Sequence, residues 1–284
     1  VLNETISRKV GPAEKELTGI QYYDPLAQTF RVDETSGVFI TSVDVFMRDK
    51  DEELPLTLQV RTVETGLPTS KILPFSVVVK DPSEVNVSED ASIPTTFTFD
   101  SPVYLTGEHE YALVLVTPAE NYNCWISRMG EVDISTVGLP DEQQVLISQQ
   151  PYLGSLFKSQ NASTWTPDQN RDLKFTIYRA QYDTSSSRTV TFNGLGSASN
   201  INISNFDVLS SNVTLPKTNI NWRIKFEPNG TVYPINVNNT EYLDVPVTIN
   251  NSSDIELTAE LSTTSEYIAP LVDLSRLSLL GITN

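Results

Sequence analysis

The chain holds one histidine and one cysteine, and this narrows the chemistry its side chains can do. His109 lies in Thr-Gly-Glu-His-Glu beside Gly107, a turn with a carboxylate on each side. A histidine base needs a nucleophile held against it and a third group to orient it. No Gly-X-Ser-X-Gly elbow occurs, so His109 reads as a solvated turn residue. Cys124 lies close to Tyr122 and Trp125, with Arg128 the one nearby cation. It reads as a small buried core residue and not as a reactive thiol. A lone cysteine excludes an internal disulfide, and one His with one Cys cannot form a structural zinc set.

Calcium needs only oxygen ligands, and the acidic stretches are residues 49–53 and Glu89-Asp90. Neither carries an Asp-X-Asp-X-Asp-Gly loop, so no metal is expected. Among 36 acidic residues no pair stands out as a glycosidase acid and nucleophile. Gly194-Leu-Gly196 is not followed by a helical pattern, so no phosphate-cradling loop and no cofactor is expected. The chain reads as a protein that is not an enzyme. What remains is binding, and the rings suited to it are Tyr122, Trp125, Tyr152 and Trp165. Aromatic rings on sandwich loops stack on the apolar faces of sugars, with Asn, Asp and Gln giving direction. The competing reading is that these rings close the ends of a core. Burial decides: hidden Phe157 and Trp165 mean closure, and an open shared ledge means a sugar site.

The elements that must position these residues are strands. Val43, Val45 and Met47 alternate with Ser42, Asp44 and Phe46, as Leu56, Leu58 and Val60 do with Thr57, Gln59 and Arg61. Phe97 and Phe99 share a face, while residues 111–117 are apolar on both faces and read as a central strand. Residues 122–129 read as its neighbour, and a helix is conceivable only near 141–149. In the loop-to-strand stretch 149–180, Leu173, Phe175 and Ile177 oppose Lys174, Thr176 and Tyr178. Short strands with Pro, Gly and Asp punctuation describe an all-β fold, an antiparallel, jelly-roll-like β-sandwich.

Residues 1–19 are polar and read as an arm or linker, and 20–182 as the sandwich domain. After a Ser/Thr-rich link, residues 183–262 read as a smaller Ig-like β-sandwich, with Trp222, Ile224 and Phe226 on one face. Ile255, Leu257, Ala259 and Leu261 form another such face. Residues 263–284 are too apolar for a free end and read as a segment packed on its own chain or on a partner, or as a linker to a further domain. Leu271, Val272, Leu277, Leu279 and Leu280 would be its interface.

The net charge of −17 argues against a nucleic-acid partner and against anionic membrane surfaces. No stretch reaches the roughly 18–20 apolar residues of a spanning helix. Asn-X-Ser/Thr triplets recur from Asn3 to Asn251, as a Ser/Thr/Asn-rich β chain generates by composition. The start at Val1 lacks Met and the apolar core of a signal peptide, so the chain reads as processed or as part of something longer.

Several motifs occur in order between residues 20 and 182: Tyr23-Asp24-Pro25-Leu26-Ala27-Gln28-Thr29-Phe30, Gly37-Val38-Phe39-Ile40-Thr41-Ser42, and Val63-Glu64-Thr65-Gly66-Leu67-Pro68-Thr69-Ser70-Lys71. Pro151-Tyr152-Leu153-Gly154-Ser155-Leu156-Phe157-Lys158 and Trp165-Thr166-Pro167-Asp168-Gln169-Asn170-Arg171-Asp172-Leu173 follow. Together they resemble a recurrent module of large tail, baseplate and tail-fibre proteins of contractile-tailed bacteriophages, marine and cyanobacterial ones in particular. Residues 265–276 are similar to stretches lying mid-chain in those proteins. The resemblance implies a structural, assembly-forming role in the virion tail, assembled in the host cytoplasm, and carries no catalytic residue. Implied partners are other tail or baseplate proteins and further copies of the chain. The alternatives are a module binding a host glycan and, behind that, a glycan-degrading enzyme.

Overall fold

The computed structural model describes residues 4–10, 13–19, 22, 24–148, 154–193, 201–227, 230–238, 241–249 and 254–282, with the backbone alone for 4–10, 13–19, 135, 201 and 249. The chain forms two compact all-β units, Val1–Ala180 and Gln181–Asn284.

The first unit opens with β1 (Glu4–Val10) and β2 (Ala13–Gly19), which pair as an antiparallel hairpin. The sequence suggests an arm here, because a charged hairpin has no apolar alternation to betray it. Then come β3 (Leu26–Arg31), β4 (Val38–Val45), β5 (Met47–Asp49), β6 (Leu56–Glu64), β7 (Leu67–Lys80), β8 (Thr95–Leu105) and β9 (Glu110–Val116). Shorter strands complete the unit: β10 (Asn123–Cys124), β11 (Ile126–Arg128), β12 (Leu156–Lys158), β13 (Thr166–Asp168), β14 (Arg171–Leu173) and β15 (Phe175–Arg179).

Two antiparallel sheets form the sandwich, in the orders β13-β12-β3-β9-β6-β7 and β15-β4-β8. The alternating apolar positions supply its core: Val43, Val45, Leu58, Val60 and Phe97 are all fully buried. Phe30 of β3 lies 6.5 Å, ring to ring, from Phe175 of β15 across the sandwich. Polar side chains stitch the sheets. Gln28 donates to Asp172 and accepts the Leu173 N–H, while Asp44 accepts from Thr96 and Tyr178. At the β6–β7 turn Thr65 and Gly66 have φ of 51° and 78°, the left-handed backbone a tight hairpin turn requires.

Three local expectations change. Residues 122–129 do not flank β9, because β10 pairs with β5 and β11 with β14. The neighbours of β9 are β3 and β6, from far away in sequence. In place of a helix near 141–149 there is a single 3-10 turn, Asp141–Gln143. The strand expected at 173–177 is two strands broken at Lys174, whose N–H turns to Trp125 O. The alternation survives the break, with Leu173 buried and Phe175 and Ile177 half-buried.

The second unit contains β16 (Arg188–Phe192), β17 (Ile201–Val213), β18 (Thr218–Phe226), β19 (Thr231–Pro234), β20 (Leu243–Ile249), β21 (Ile255–Thr263) and β22 (Leu271–Ile282). Their orders are β16-β21-β18-β19 and β20-β17-β22, a four-plus-three sandwich of immunoglobulin size whose strand order is its own. Phe206, Val208, Trp222, Ile224, Phe226, Ile255, Leu257 and Ala259 fill its core. The C-terminal segment is not an appendage. β22 pairs with β17 along most of its length, and Val272, Leu277 and Leu279 pack on this unit's own core.

Leu58 is fully buried in the sandwich core, so Leu58→Ala should cost about 2–5 kcal/mol in urea unfolding. Ser70→Ala, at an exposed position, should stay within about 0.5 kcal/mol of wild type.

Candidate functional site

The outer face of the six-stranded sheet, which a plain sandwich leaves to water, is covered. Ala27, Ala112, Val114 and Val116 of that face form one buried cluster with Phe157, Ala162 and Trp165. Phe157 is 3% and Trp165 8% exposed, so this loop is a closing element. Beneath it lies Arg61, itself 6% exposed. Its guanidinium donates to Gln59 Oε1 (3.0 and 2.7 Å) and to Ala162 O (2.8 Å). These acceptors are neutral, and burial pushes the Arg61 pKa down. Asn161 shapes the loop above, its Oδ1 accepting the Ser163 and Thr164 N–H groups. Gly154 lets the chain lie against β3, because a Cβ there would sit 2.1 Å from Thr29 O.

Of the four rings expected to form a sugar ledge, the three described ones do not share a surface. Trp165 is core, Tyr152 lies outside the described residues, and Tyr122 and Trp125 line different clefts. Trp125 donates its indole N–H to Ser88 O (2.8 Å), with Arg48 5.8 Å from the ring centre. Its cleft, 890 Å³, is mostly apolar, with Phe30, Ile40, Phe175, Ile177, Val132 and Ile134 in its lining.

Tyr122 borders a second cleft, of 1150 Å³, at one end of the sandwich. Its hydroxyl donates to Leu54 O (2.7 Å), and burial, with Asp51 nearby, pushes its pKa up to about 12. Cys124 also borders this cleft, half-buried, its thiol pushed up to about 12 by desolvation. His109 is exposed, with Nδ1 2.7 Å from Gly107 O in its own turn. Among the described residues no group of three His, Cys, Asp or Glu is placed to hold a metal ion.

Two surface features were not legible in the sequence. β7 ends its sheet, and between Val77 opposite Gln59 and Ile72 opposite Arg61 it carries extra residues. Ser76 closes this bulge, its hydroxyl 3.1 Å from Val60 O and 2.8 Å from Leu73 O. The bulge throws Phe75 outward at φ 62°, 69% exposed, with Val77 and Val79 exposed behind it. β22, also an edge strand, has a matching bulge between Val272 opposite Asn212 and Leu277 opposite Ser210. It projects Leu274, 67% exposed. Of the interface residues expected on this segment, only Leu271 and Leu280 are exposed. Bulges break the two-residue period, so a search for alternation passes over them.

No family model, curated protein or solved structure matches the chain.

Trp165→Ala should cost about 3–5 kcal/mol, as a core ring does. Trp165→Phe should cost little, since the indole N–H is buried with no partner among the described residues. Cys124 should resist Ellman's reagent at pH 8 in the folded chain and react on unfolding. For Tyr122 the folded pKa of about 12 exceeds the unfolded value near 10. Its contribution to stability is therefore whole below about pH 10 and is lost as pH rises to 12, which Tyr122→Phe should abolish in alkaline melts.

Proposed function

We propose that this chain is a structural component of a bacteriophage virion tail, in the baseplate, tail fibre or an associated adaptor, and that it acts by protein–protein assembly. The carrying observation is the pair of bulged edge strands. A bulky aromatic at positive φ costs backbone energy, and an apolar side chain left in water forgoes burial. Phe75 does both, and the bulged edge strand of the second unit repeats the second with the exposed Leu274. Edge strands are normally blunted because they invite pairing, so an edge bearing Phe75, Val77 and Val79 suits a partner that covers it. The order of motifs resembling tail-protein modules supports the virion part of the reading. Buried anchors of this kind carry most of an interface's energy.

Two measurements test the proposal. Mass spectrometry of purified virions should find the chain in the particle, and its absence would overturn the virion assignment. Phe75→Gly should hold or raise the melting temperature, by relieving about 1 kcal/mol of strain, while Phe75→Gly with Leu274→Ser fails to enter particles. Normal incorporation of that folded double variant would overturn the assembly surface.

A further inference from the structure

We propose that the cleft beside Tyr122 is a binding site for a short neutral oligosaccharide, independently of any place in a virion. The cleft gathers at one end of the first sandwich, where β3 and β6 begin and β9 and β12 end. Its apolar lining includes the half-buried Leu26, backed by the core side chains Leu56, Leu115 and Leu156. The Tyr122 ring stands at its side, fixed by the hydroxyl's bond to Leu54 O. A rigid ring and an apolar lining suit the C–H face of a sugar.

The rim is where the chemistry is specific. Asp24, Glu120, Gln160 and Thr166 border the cleft, are exposed, and make no side-chain hydrogen bond among the described residues. Two carboxylates, an amide and a hydroxyl accept from and donate to sugar hydroxyls with directional bonds. Other rim polar groups are already engaged: Thr117 donates to Pro55 O, and the Asn161 side chain serves its own loop. The unengaged set therefore separates ligand-facing groups from structural ones.

The same rim excludes other ligands. Among the described lining residues Lys158 is the one cation and lies 3.1 Å from Asp168, and the carboxylates of Asp24 and Glu120 would repel a phosphate or sulfate. A wholly apolar ligand would strand the rim groups without partners. The volume, 1150 Å³, exceeds that of a single-ring site, so more than one sugar fits.

The test is titration of the full chain, by saturation-transfer NMR and calorimetry, with cello-, malto- and manno-oligosaccharides of two to four units. A sulfated disaccharide serves as the anionic contrast. Wild type should bind at least one neutral oligosaccharide and not the sulfated one. Gln160→Ala and Glu120→Ala, both at exposed positions, should each weaken binding about tenfold, as loss of one good hydrogen bond does, with unchanged melting temperature. Phe75→Gly should leave it untouched, which separates this site from the assembly surface. Failure of every neutral oligosaccharide to bind at millimolar concentration would overturn the proposal. So would binding that the Glu120→Ala/Gln160→Ala double variant leaves intact.

Discussion

The first unit depends on a buried cation. Arg61 points out of the six-stranded sheet on the face away from the sandwich core, where a long polar side chain would ordinarily reach water. Instead it is covered, and its guanidinium ties Gln59 on its own strand to the Ala162 carbonyl of the loop above. Desolvating a guanidinium is costly, and the cost is offset only if its N–H groups are met. Gln59 takes two of them, Ala162 O a third and Thr69 O, at 3.5 Å, a fourth. Lifting the loop would break the Arg61–Ala162 bond and uncover the apolar cluster, so the same closure that meets the guanidinium keeps Phe157 and Trp165 over Ala27, Ala112 and Val114.

That constraint explains why β9 is apolar on both faces. Leu113 and Leu115 face the sandwich interior, and Val114 and Val116 face the loop. It also explains why Phe157 and Trp165, aromatic residues of a long loop, are core and not surface. The same economy appears in reverse at the edges, where bulges in β7 and β22 push Phe75 and Leu274 away from any core. One set of rings is hidden by polar ties, and another apolar set is deliberately left out. The difference marks closure in one place and, in the proposed function, a surface offered to a partner in the other.

Local pattern carried much of the fold. The runs around Leu58, Phe97, Trp222 and Leu257 alternate because one face is buried, and the two-faced run at 111–116 lies at the centre of its sheet. What stayed hidden was pairing and breaks in period. β17 is rich in Asn and Ser, weak strand formers, and exists because β20 and β22 pair with it on both sides. β1 and β2 carry charges at strand positions, and β11 finds β14 across a long stretch of chain. At the site, Tyr122 was legible as a ring. Its companions Glu120 and Gln160 come from separate loops, and only folding brings them to one rim.

Native-state hydrogen exchange on wild type and Arg61→Met tests whether Arg61 holds the loop closed, since methionine keeps the bulk and removes the donors. The Ser159 N–H is bonded to Pro25 O and the Thr164 N–H to Asn161 Oδ1. Both should be protected in wild type and exchange rapidly in Arg61→Met, while β18 and β21 of the second unit stay unchanged. Equal protection of Ser159 and Thr164 in the two proteins, or free exchange in wild type, would contradict that role.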